Sequence, residues 1–467
     1  MKKSNLIEIL LTFSKSELRE LRKWLASPAH NQREDVQVLF DYLLKNEHLT
    51  DEKKLEKATV FPQVFGDVTY DDDKMRQAMF FLSKATEEFL MWQEMNKDEV
   101  RRQIALSANL RHRKLDKLFL KTLAKANETQ LRQPHRNENF LRNEYYLQRE
   151  RYAFLSTQQR TVPLNLQEMS DWLDTTFVAD KLRQICLVLS HQSVYKKEYD
   201  ILFLQEVLEN VTKKNLLEIP AIAIYYYSYK AITEREDESY FQQLKQHLTA
   251  HGDVFPQSEI RDIYLLAINY GIARMNAGVA HFGREVFDLY RTGFEKGFLV
   301  ENNRVSRWTF RNVVTAALRL QEFGWVSDFI EKNSRFLEER HRESTVHFSV
   351  ARLNFEQKNY AAAMRLFSQV EYDDFLMNIT AKTMMFKMLY EQEEYEVGEA
   401  QLESMRIYLQ RKEVTGQHYT NAKNIIRYSK KLLRAAVFNK AQRAKLRAEI
   451  ELCHPLTERD WLLRQLR

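Results

Sequence analysis

Apolar residues recur at helical spacing along most of the chain. Between Val36 and Leu44 they fall at steps of three and four residues, which places them on one face of an amphipathic helix. Ser14 precedes Glu17 by three residues, an arrangement in which the two side chains cap the start of a helix. Pro220 suits a first helical turn, where its missing amide hydrogen costs nothing. The pattern predicts a long series of helices.

Three aromatic residues mark a repeat in the last third of the chain. Trp325, Tyr360 and Tyr395 stand 35 residues apart, each where one predicted helix turns into the next. A period of about 34 residues with an aromatic at the turn is typical of stacked helical hairpins. We therefore expect these three rings to be buried between adjacent hairpins and to make equivalent contacts.

Small and apolar residues follow the turn aromatics at fixed distances. Tyr360 is followed by Ala363, where two helices are expected to cross closely, and by Phe367 one turn later. Gly398 and Leu402 stand at the same distances from Tyr395. The unit that begins at Trp325 has an aspartate, Asp328, where a small residue is expected.

These positions resemble the second helix of a tetratricopeptide repeat. The units resemble divergent members of that superfamily, because Ala316, Ala351 and Phe386 stand where the first helix usually has glycine. The layout of the whole chain, from the segment 13–17 to the closing segment 461–463, resembles an uncharacterised family of long helical-repeat proteins in Bacteroidota. That resemblance implies a fold and a bacterial origin, but no activity.

Composition agrees with a fold built from helices. The 467 residues include only 10 Gly and 7 Pro, too few for the many turns of a sheet protein. The sequence predicts an all-α fold, a helical-hairpin (tetratricopeptide-like) solenoid with a helical N-terminal unit. The predicted segments are an N-terminal unit at 1–97, helical hairpins at 98–278, tetratricopeptide-like repeats at 279–412 and C-terminal capping helices at 413–467.

The sequence also bears on location. The longest stretch without a charged residue, Gln184–Tyr195, is 12 residues long, whereas a membrane-spanning helix needs about 20. No small-residue cleavage site follows the N-terminal apolar stretch, which argues against export. The two cysteines are too few for a disulfide framework or a paired-cysteine metal site. We expect a soluble, cytoplasmic protein with no membrane partner.

No spacing typical of catalysis or phosphate binding occurs in the chain. His341 and His347 are the nearest approach to a histidine pair, but six residues on a helix place them about 120° apart. Asp71–Asp73 suits the start of a helix, where acidic side chains complement the dipole. We expect no enzymatic activity, no cofactor and no metal site.

One predicted helix carries four tyrosines within five residues: Tyr225, Tyr226, Tyr227 and Tyr229. Since these four side chains point in several directions on a helix, one core stripe cannot bury them all. Two of them are expected to pack in the core and two at its rim. In the functional alternative, one or two line a groove and contact a peptide, because tyrosine is favoured at binding surfaces.

Two basic stretches are candidates for anion binding. Residues 101–160 contain 14 Lys or Arg against five Asp or Glu. Near the C-terminus, five cations recur at one to four residue steps: Lys423, Arg427, Lys430, Lys431 and Arg434. Phosphate binding needs such charge on one face, but a solvated capping helix of a solenoid also needs a polar outer face.

Two functions remain open at this point. The first is a non-catalytic scaffold that binds a protein or peptide partner on the concave face of the repeats. The second is a bacterial regulator that joins a nucleic-acid-binding N-terminal half to a repeat-based, peptide-sensing half. Nucleic acid is the less favoured partner, because no convincing helix-turn-helix is found.

Overall fold

The computed structural model describes most of the chain. The described residues are 1–45, 48–158, 161, 163–195, 197–369, 374–412, 416–435 and 440–466. For residues 193 and 194 only the backbone is described.

Within these residues the protein is all-helical, with no β-strand, and the predicted all-α fold is confirmed. The α-helices are α1 (Asn5–Thr12), α2 (Lys15–Ala26), α3 (Glu34–Leu43), α4 (Lys57–Phe65), α5 (Asp72–Asn96), α6 (Glu99–His112), α7 (Asp116–Leu131), α8 (Glu138–Leu155), α9 (Leu166–Tyr195), α10 (Leu204–Lys213), α11 (Pro220–Thr233), α12 (Glu238–His251), α13 (Gln257–Asn276), α14 (Phe282–Glu295), α15 (Arg307–Arg319), α16 (Phe323–Asn333), α17 (Glu339–Glu356), α18 (Tyr360–Gln369), α19 (Phe375–Glu391), α20 (Tyr395–Arg411), α21 (Gln417–Leu433), α22 (Lys440–Leu452) and α23 (Arg459–Gln465).

The chain forms two compact units. The first contains residues 1–133 and 138–176, and the second contains residues 134–137 and 177–467, so the division falls inside α9. In the first unit, helices α1 to α5 enclose a core that includes Leu21, Phe40 and Phe89. The four predicted segments stay predictions, and residue 413, where the last of them begins, lies outside the described residues.

The expected cap at the start of α2 is present. Ser14 Oγ accepts a hydrogen bond from the Glu17 amide at 3.2 Å, and the Ser14 amide donates to Glu17 Oε2 at 2.7 Å. The two side chains thereby satisfy two of the free amide hydrogens at the helix start. This part of the sequence pattern is confirmed.

In the second unit the helices pack in adjacent pairs. Helix α11 packs on α12, α13 on α14, α15 on α16, α17 on α18 and α19 on α20. We call the earlier helix of each pair its first helix and the later one its second helix. First helices also contact each other between pairs: α11 contacts α13, α15 contacts α17, and α17 contacts α19.

One type of turn closes several of these pairs. Lys358 adopts a left-handed conformation (φ +61°). Its amide donates to the Phe355 carbonyl at 3.0 Å, and the next amide, of Asn359, donates to the Asn354 carbonyl at 2.8 Å. These two bonds satisfy carbonyls that the end of a helix would otherwise leave free. The same pair of bonds occurs at Lys114, Gly278, Gln321 and Glu393.

This turn corrects the expected register of Trp325. The left-handed residues Gln321, Lys358 and Glu393 are 37 and then 35 residues apart, so the first of the three repeats is two residues longer. Tyr360 and Tyr395 are the first residues of their helices, whereas Trp325 is the third residue of α16. The equal spacing of the aromatics therefore does not reflect equal positions.

The corrected register also explains the aspartate in the first repeat. Measured from the start of each helix, Val326 of α16 takes the place of Ala363 and Gly398, and Val326 is fully buried. Asp328 is exposed and lies outside the helix crossing.

The three turn aromatics are not equivalently buried, so that expectation is wrong. Trp325 is half-buried and stacks on Phe329 with ring centroids 5.0 Å apart. Tyr360 is half-buried and its hydroxyl bonds to Glu391. Tyr395 is 47% exposed, and its ring has an edge contact with Tyr390. Trp325 differs in its position relative to the turn, whereas Tyr360 and Tyr395 share that position and differ in their neighbours.

The residues expected at the helix crossings lie in the core. Ala363, Phe367 and Leu402 are buried. Gly398 is buried too, and a Cβ added there would lie 3.6 Å from the Phe386 ring, an ordinary contact. A closer crossing occurs at Gly271 of α13, where an added Cβ would lie 2.6 Å from Val286 Cγ2. Gly271 is seven residues before the left-handed Gly278, as Ala351 is seven before Lys358.

Candidate functional site

A groove lies between α9, α11 and α13 in the second unit. Its volume is about 300 Å³, and its wall includes Leu187, Tyr225, Ser228, Leu265 and Leu266. Leu187 is 57% exposed, so an apolar side chain is available to a partner at this place. We call this the Tyr225 groove. Its combination of apolar wall and a few polar groups is typical of sites that recognise ligands.

A buried carboxylate holds the polar part of the Tyr225 groove in place. The Tyr225 hydroxyl donates to Glu259 Oε1 at 2.6 Å, and Asn137 Nδ2 donates to Glu259 Oε2 at 3.2 Å. Ser228 Oγ is buried, and the described residues offer it no hydrogen-bond partner. Ser228 is 0% exposed, and a buried hydroxyl without a partner costs free energy.

The other tyrosines of α11 lie away from this groove wall. Tyr226 is buried beside Lys230, whose Nζ is 5.8 Å from the ring centroid. Tyr227 is half-buried and stacks on His247 of α12 at 5.3 Å. Burial raises the pKa of the Tyr226 and Tyr227 hydroxyls. Tyr229 is half-buried. Two tyrosines are thus in the core and two at its rim, as expected.

A second candidate region lies where α15 meets α17. Arg311 of α15 has its guanidinium 5.3 Å from the centroid of Phe348 on α17. One turn further along both helices, Arg352 of α17 donates from Nη1 to Thr315 of α15. The two arginines therefore reach across the same helix contact in opposite directions. We call Arg311, Arg352 and the neighbouring Trp308 the arginine cluster.

Several donor atoms of the arginine cluster have no acceptor among the described residues. They are Arg311 Nε, Arg311 Nη1 and Arg352 Nε, all buried. The Asp374 carboxylate is 3.8 Å from Arg311 Nη1, beyond hydrogen-bond distance, and it already caps α19 by accepting from the Met377 amide at 2.9 Å. Arg311 is therefore only weakly compensated.

The electrostatic surroundings of both arginines agree with this. Burial lowers the pKa of Arg311, the nearby Asp374 partly offsets this effect, and Arg307 lowers the pKa further. Burial lowers the pKa of Arg352 to about 10; Glu356 partly offsets the effect of burial, and Arg311 and Arg319 add to it. Both guanidinium groups stay positively charged at neutral pH. Two incompletely neutralised cations therefore lie at the contact of α15 and α17.

An exposed aromatic ring lies beside these charges. Trp308 is 46% exposed, and the guanidinium groups of Arg307 and Arg311 lie 4.9 and 5.2 Å from its ring centroid. Tryptophan and arginine are the side chains that contribute most often to binding energy at protein interfaces.

Sequence reasoning missed the arginine cluster and Glu259, although a signal existed. On α15, Trp308, Arg311 and Thr315 follow a step of three and a step of four on the side opposite the buried Val313. A tryptophan within an otherwise polar helix face is the feature that could have identified this site.

The C-terminal cations do not act as one free basic face. Lys430 Nζ is 3.0 Å from Glu403 of α20, and Lys431 pairs with Glu449 of α22. Arg406 and Lys430 together lower the pKa of Glu403 to about 2. Lys423, Arg427 and Arg434 are exposed. Two of the five predicted residues thus join α21 to its neighbours, and three face solvent.

The described residues contain no group of three or more potential metal ligands. His341 Nδ1 is 3.3 Å from Arg307 Nη1. Cys186 is buried, and burial raises its pKa to about 12, which makes the thiol a poor nucleophile. None of the helices in the described part of the chain combines the length and the apolar character that crossing a membrane requires.

Comparisons with protein-family models, with curated proteins and with solved structures give no match for this chain.

Proposed function

We propose that this protein is a non-catalytic scaffold, a tetratricopeptide-like solenoid that binds a protein or peptide segment along its first helices. The observation that carries the proposal is the Tyr225 groove, which lies between first helices α11 and α13 and the end of α9. Stacked helical pairs present their first helices as one extended surface, which such proteins use for binding.

The contacts between helices support the stacking part of the proposal. Helices α15, α17 and α19 contact each other in order while each packs on its own second helix. In a stack of this kind each pair contacts mainly its neighbours. The proposal also places the protein in the cytoplasm, where the unpaired thiols Cys186 and Cys453 stay reduced.

A substitution in the Tyr225 groove tests the proposal. Peptides are selected from a random display library on the immobilised full-length chain, and their affinity for variants is then measured. Leu187→Glu puts a charge into the groove wall and should weaken binding about tenfold or more, because it replaces an apolar contact with the peptide by a charged group that must lose water. Leu187 is 57% exposed in the free protein, so its folding should be little affected.

Leu452→Glu is the matched control, because Leu452 of α22 is 81% exposed and outside the groove. It should leave the affinity unchanged. Failure of the library to yield any peptide, or equal affinities for the wild type and Leu187→Glu, would contradict the proposal.

A regulator with a nucleic-acid-binding N-terminal half is the second candidate. The observation that favours it is an exposed row on α7, formed by Lys117, Lys121 and Lys125. If this row contacts phosphates, association with random DNA should weaken steeply as salt increases. Replacing the three lysines with glutamine should then abolish it. Salt-sensitive binding lost in this variant would favour the regulator over the scaffold.

A further inference from the structure

The last turns of α5 and the outer side of α6 leave apolar side chains in solvent. Phe89 is the last residue of α5 that is buried in the core of α1 to α5. Beyond it Met91 is exposed, and Met95, one turn later, is 70% exposed. On α6, Ile104 packs in a small core with residues of α7 and α8, whereas Leu106 is 52% exposed. Neither core therefore uses these exposed apolar side chains.

The exposed apolar residues of two helices meet in one groove. Met95 and Leu106 line a groove with a volume of about 700 Å³ at the end of α5, α6 and α7. We call this the Met95 groove. Arg102 of α6 and Lys125 of α7 line it too, and both are exposed. A partner can therefore reach both the apolar and the charged groups of its wall.

The Met95 groove carries an excess of positive charge. Three basic residues line it, Arg101, Arg102 and Lys125, against one acidic residue, Glu99. Arg101 Nε is 3.6 Å from the carboxylate of Asp98 at the start of α6. In the described part of the chain, neither Arg102 nor Lys125 forms an ion pair with a carboxylate. Complementary charge on a partner is therefore negative.

We propose that the Met95 groove binds an acidic amphipathic segment of a partner protein. Apolar side chains of the segment pack on Met95 and Leu106, while its carboxylates approach Arg102 and Lys125. An amphipathic helix that lays its apolar face into a groove is a recurring form of peptide recognition. The inference goes beyond the proposed function, because it gives the scaffold a second docking surface, on the first unit.

The composition of the groove favours a protein segment over a nucleic acid. Affinity for nucleic acid comes from many phosphate contacts along a basic face, and unpaired bases add stacking on aromatic rings. The exposed apolar residues of this groove, Met95 and Leu106, are aliphatic and offer no ring. An acidic amphipathic segment uses the cations and the aliphatic side chains together.

The test begins with a selection and a depletion. Peptides from a random display library are selected on the immobilised full-length chain, and are then depleted on the double variant Arg102→Glu, Leu106→Gln. Peptides that bind the wild type alone report on the Met95 groove, and they should be enriched in Asp, Glu and large apolar residues. Peptides that bind both proteins are used for the Tyr225 groove instead.

Salt separates the two parts of the contact. For a selected acidic peptide, Leu106→Gln should raise the Kd about tenfold with little dependence on salt, because it removes apolar contact without adding a charge. Lys125→Glu should raise the Kd several-fold at low salt. This second effect should vanish at about 1 M salt, where the Debye length is about 3 Å.

The chain offers a matched control for each variant. Leu120 of α7 is 51% exposed but does not line the groove, so Leu120→Gln should bind the acidic peptide like the wild type. Arg151→Glu, at an exposed position of α8, controls for a change of net charge and should also bind like the wild type. Circular dichroism and thermal melting establish that each variant is folded.

The outcomes that would overturn the inference are distinct. One is a selection in which the depletion removes every peptide, and another is a set of wild-type-specific peptides without acidic enrichment. Either result leaves the scaffold proposal standing, since that proposal depends on Leu187→Glu. A single-stranded oligonucleotide that binds the wild type, loses affinity in Lys125→Glu and keeps it in Leu106→Gln would overturn the inference in favour of nucleic acid.

Discussion

At the scale of single residues, Arg111 and Arg311 should respond differently to removal. Arg111→Met leaves the buried Glu150 without its cation, which should cost about 3 kcal/mol. Arg311→Met removes a buried charge that no hydrogen bond satisfies at Nε or Nη1, and methionine still packs against Phe348. The free energy of unfolding should then fall by less than about 1 kcal/mol or should rise.

Chemical denaturation of the full chain, followed by circular dichroism, compares the two variants. If Arg311→Met destabilised the protein as much as Arg111→Met does, the Arg311–Asp374 contact would be a structural ion pair. Arg311 would then serve the fold rather than a partner.

Glycines at helix crossings give a second prediction at this scale. Gly271→Ala puts a Cβ 2.6 Å from Val286 Cγ2, and should destabilise the protein by about 1 to 3 kcal/mol because a valine side chain can move little. Gly398→Ala meets the Phe386 ring at 3.6 Å, and should be neutral or stabilise by up to about 1 kcal/mol, since alanine favours the helix.

The double variant Gly271→Ala, Val286→Ala serves as the control. Truncating Val286 relieves the clash. The double variant should therefore lose less free energy of unfolding than the sum of the losses in the two single variants. Additive costs would show that the two side chains do not meet, and that α13 and α14 cross elsewhere.

At the scale of the helical pair, the left-handed turn residue is a test of the repeat. Lys358 has φ +61°, and a side chain in this conformation costs about 1–2 kcal/mol relative to the right-handed form. Lys358→Gly removes this cost but gives the unfolded chain more conformational freedom. The net effect should be a stabilisation of about 1 kcal/mol. Glu343→Gly, at an exposed position inside α17, should instead destabilise by about 1 kcal/mol.

Amide hydrogen exchange measures this locally, because the Asn359 amide donates across the turn to the Asn354 carbonyl. Its exchange should slow in Lys358→Gly. Faster exchange would mean that the turn needs the lysine side chain and that the shared backbone conformation is not what closes these pairs.

The sequence pattern was sufficient for helices and for part of the repeat. Periodic apolar positions predict the all-α fold, and Ala363 and Leu402 are in the core as expected. The register around Trp325 could not be predicted. It depends on the left-handed backbone conformation of Gln321, and glutamine is not a residue type that signals this conformation. A lysine and a glutamate occupy the same place in the next two turns, although glycine is the residue usually favoured there.

The candidate site was less predictable for a different reason. Tyr225 was singled out because tyrosines are crowded on one helix, and it lines a groove. Arg311 and Arg352 look like ordinary surface arginines in the sequence. Their lack of acceptors follows from which helices pack together, in this case α15 on α17, and from the use of Asp374 as a helix cap.

At the scale of the whole molecule, the central claim is that a partner binds along the first helices of the second unit. A selected peptide that carries a photo-crosslinking residue tests this most directly, because the labelled sites can be mapped by mass spectrometry. The account predicts crosslinks to α11, α13, α15 and α17, including peptides that contain Tyr225 and Trp308. Crosslinks confined to the second helices α12, α14, α16 and α18 would contradict it.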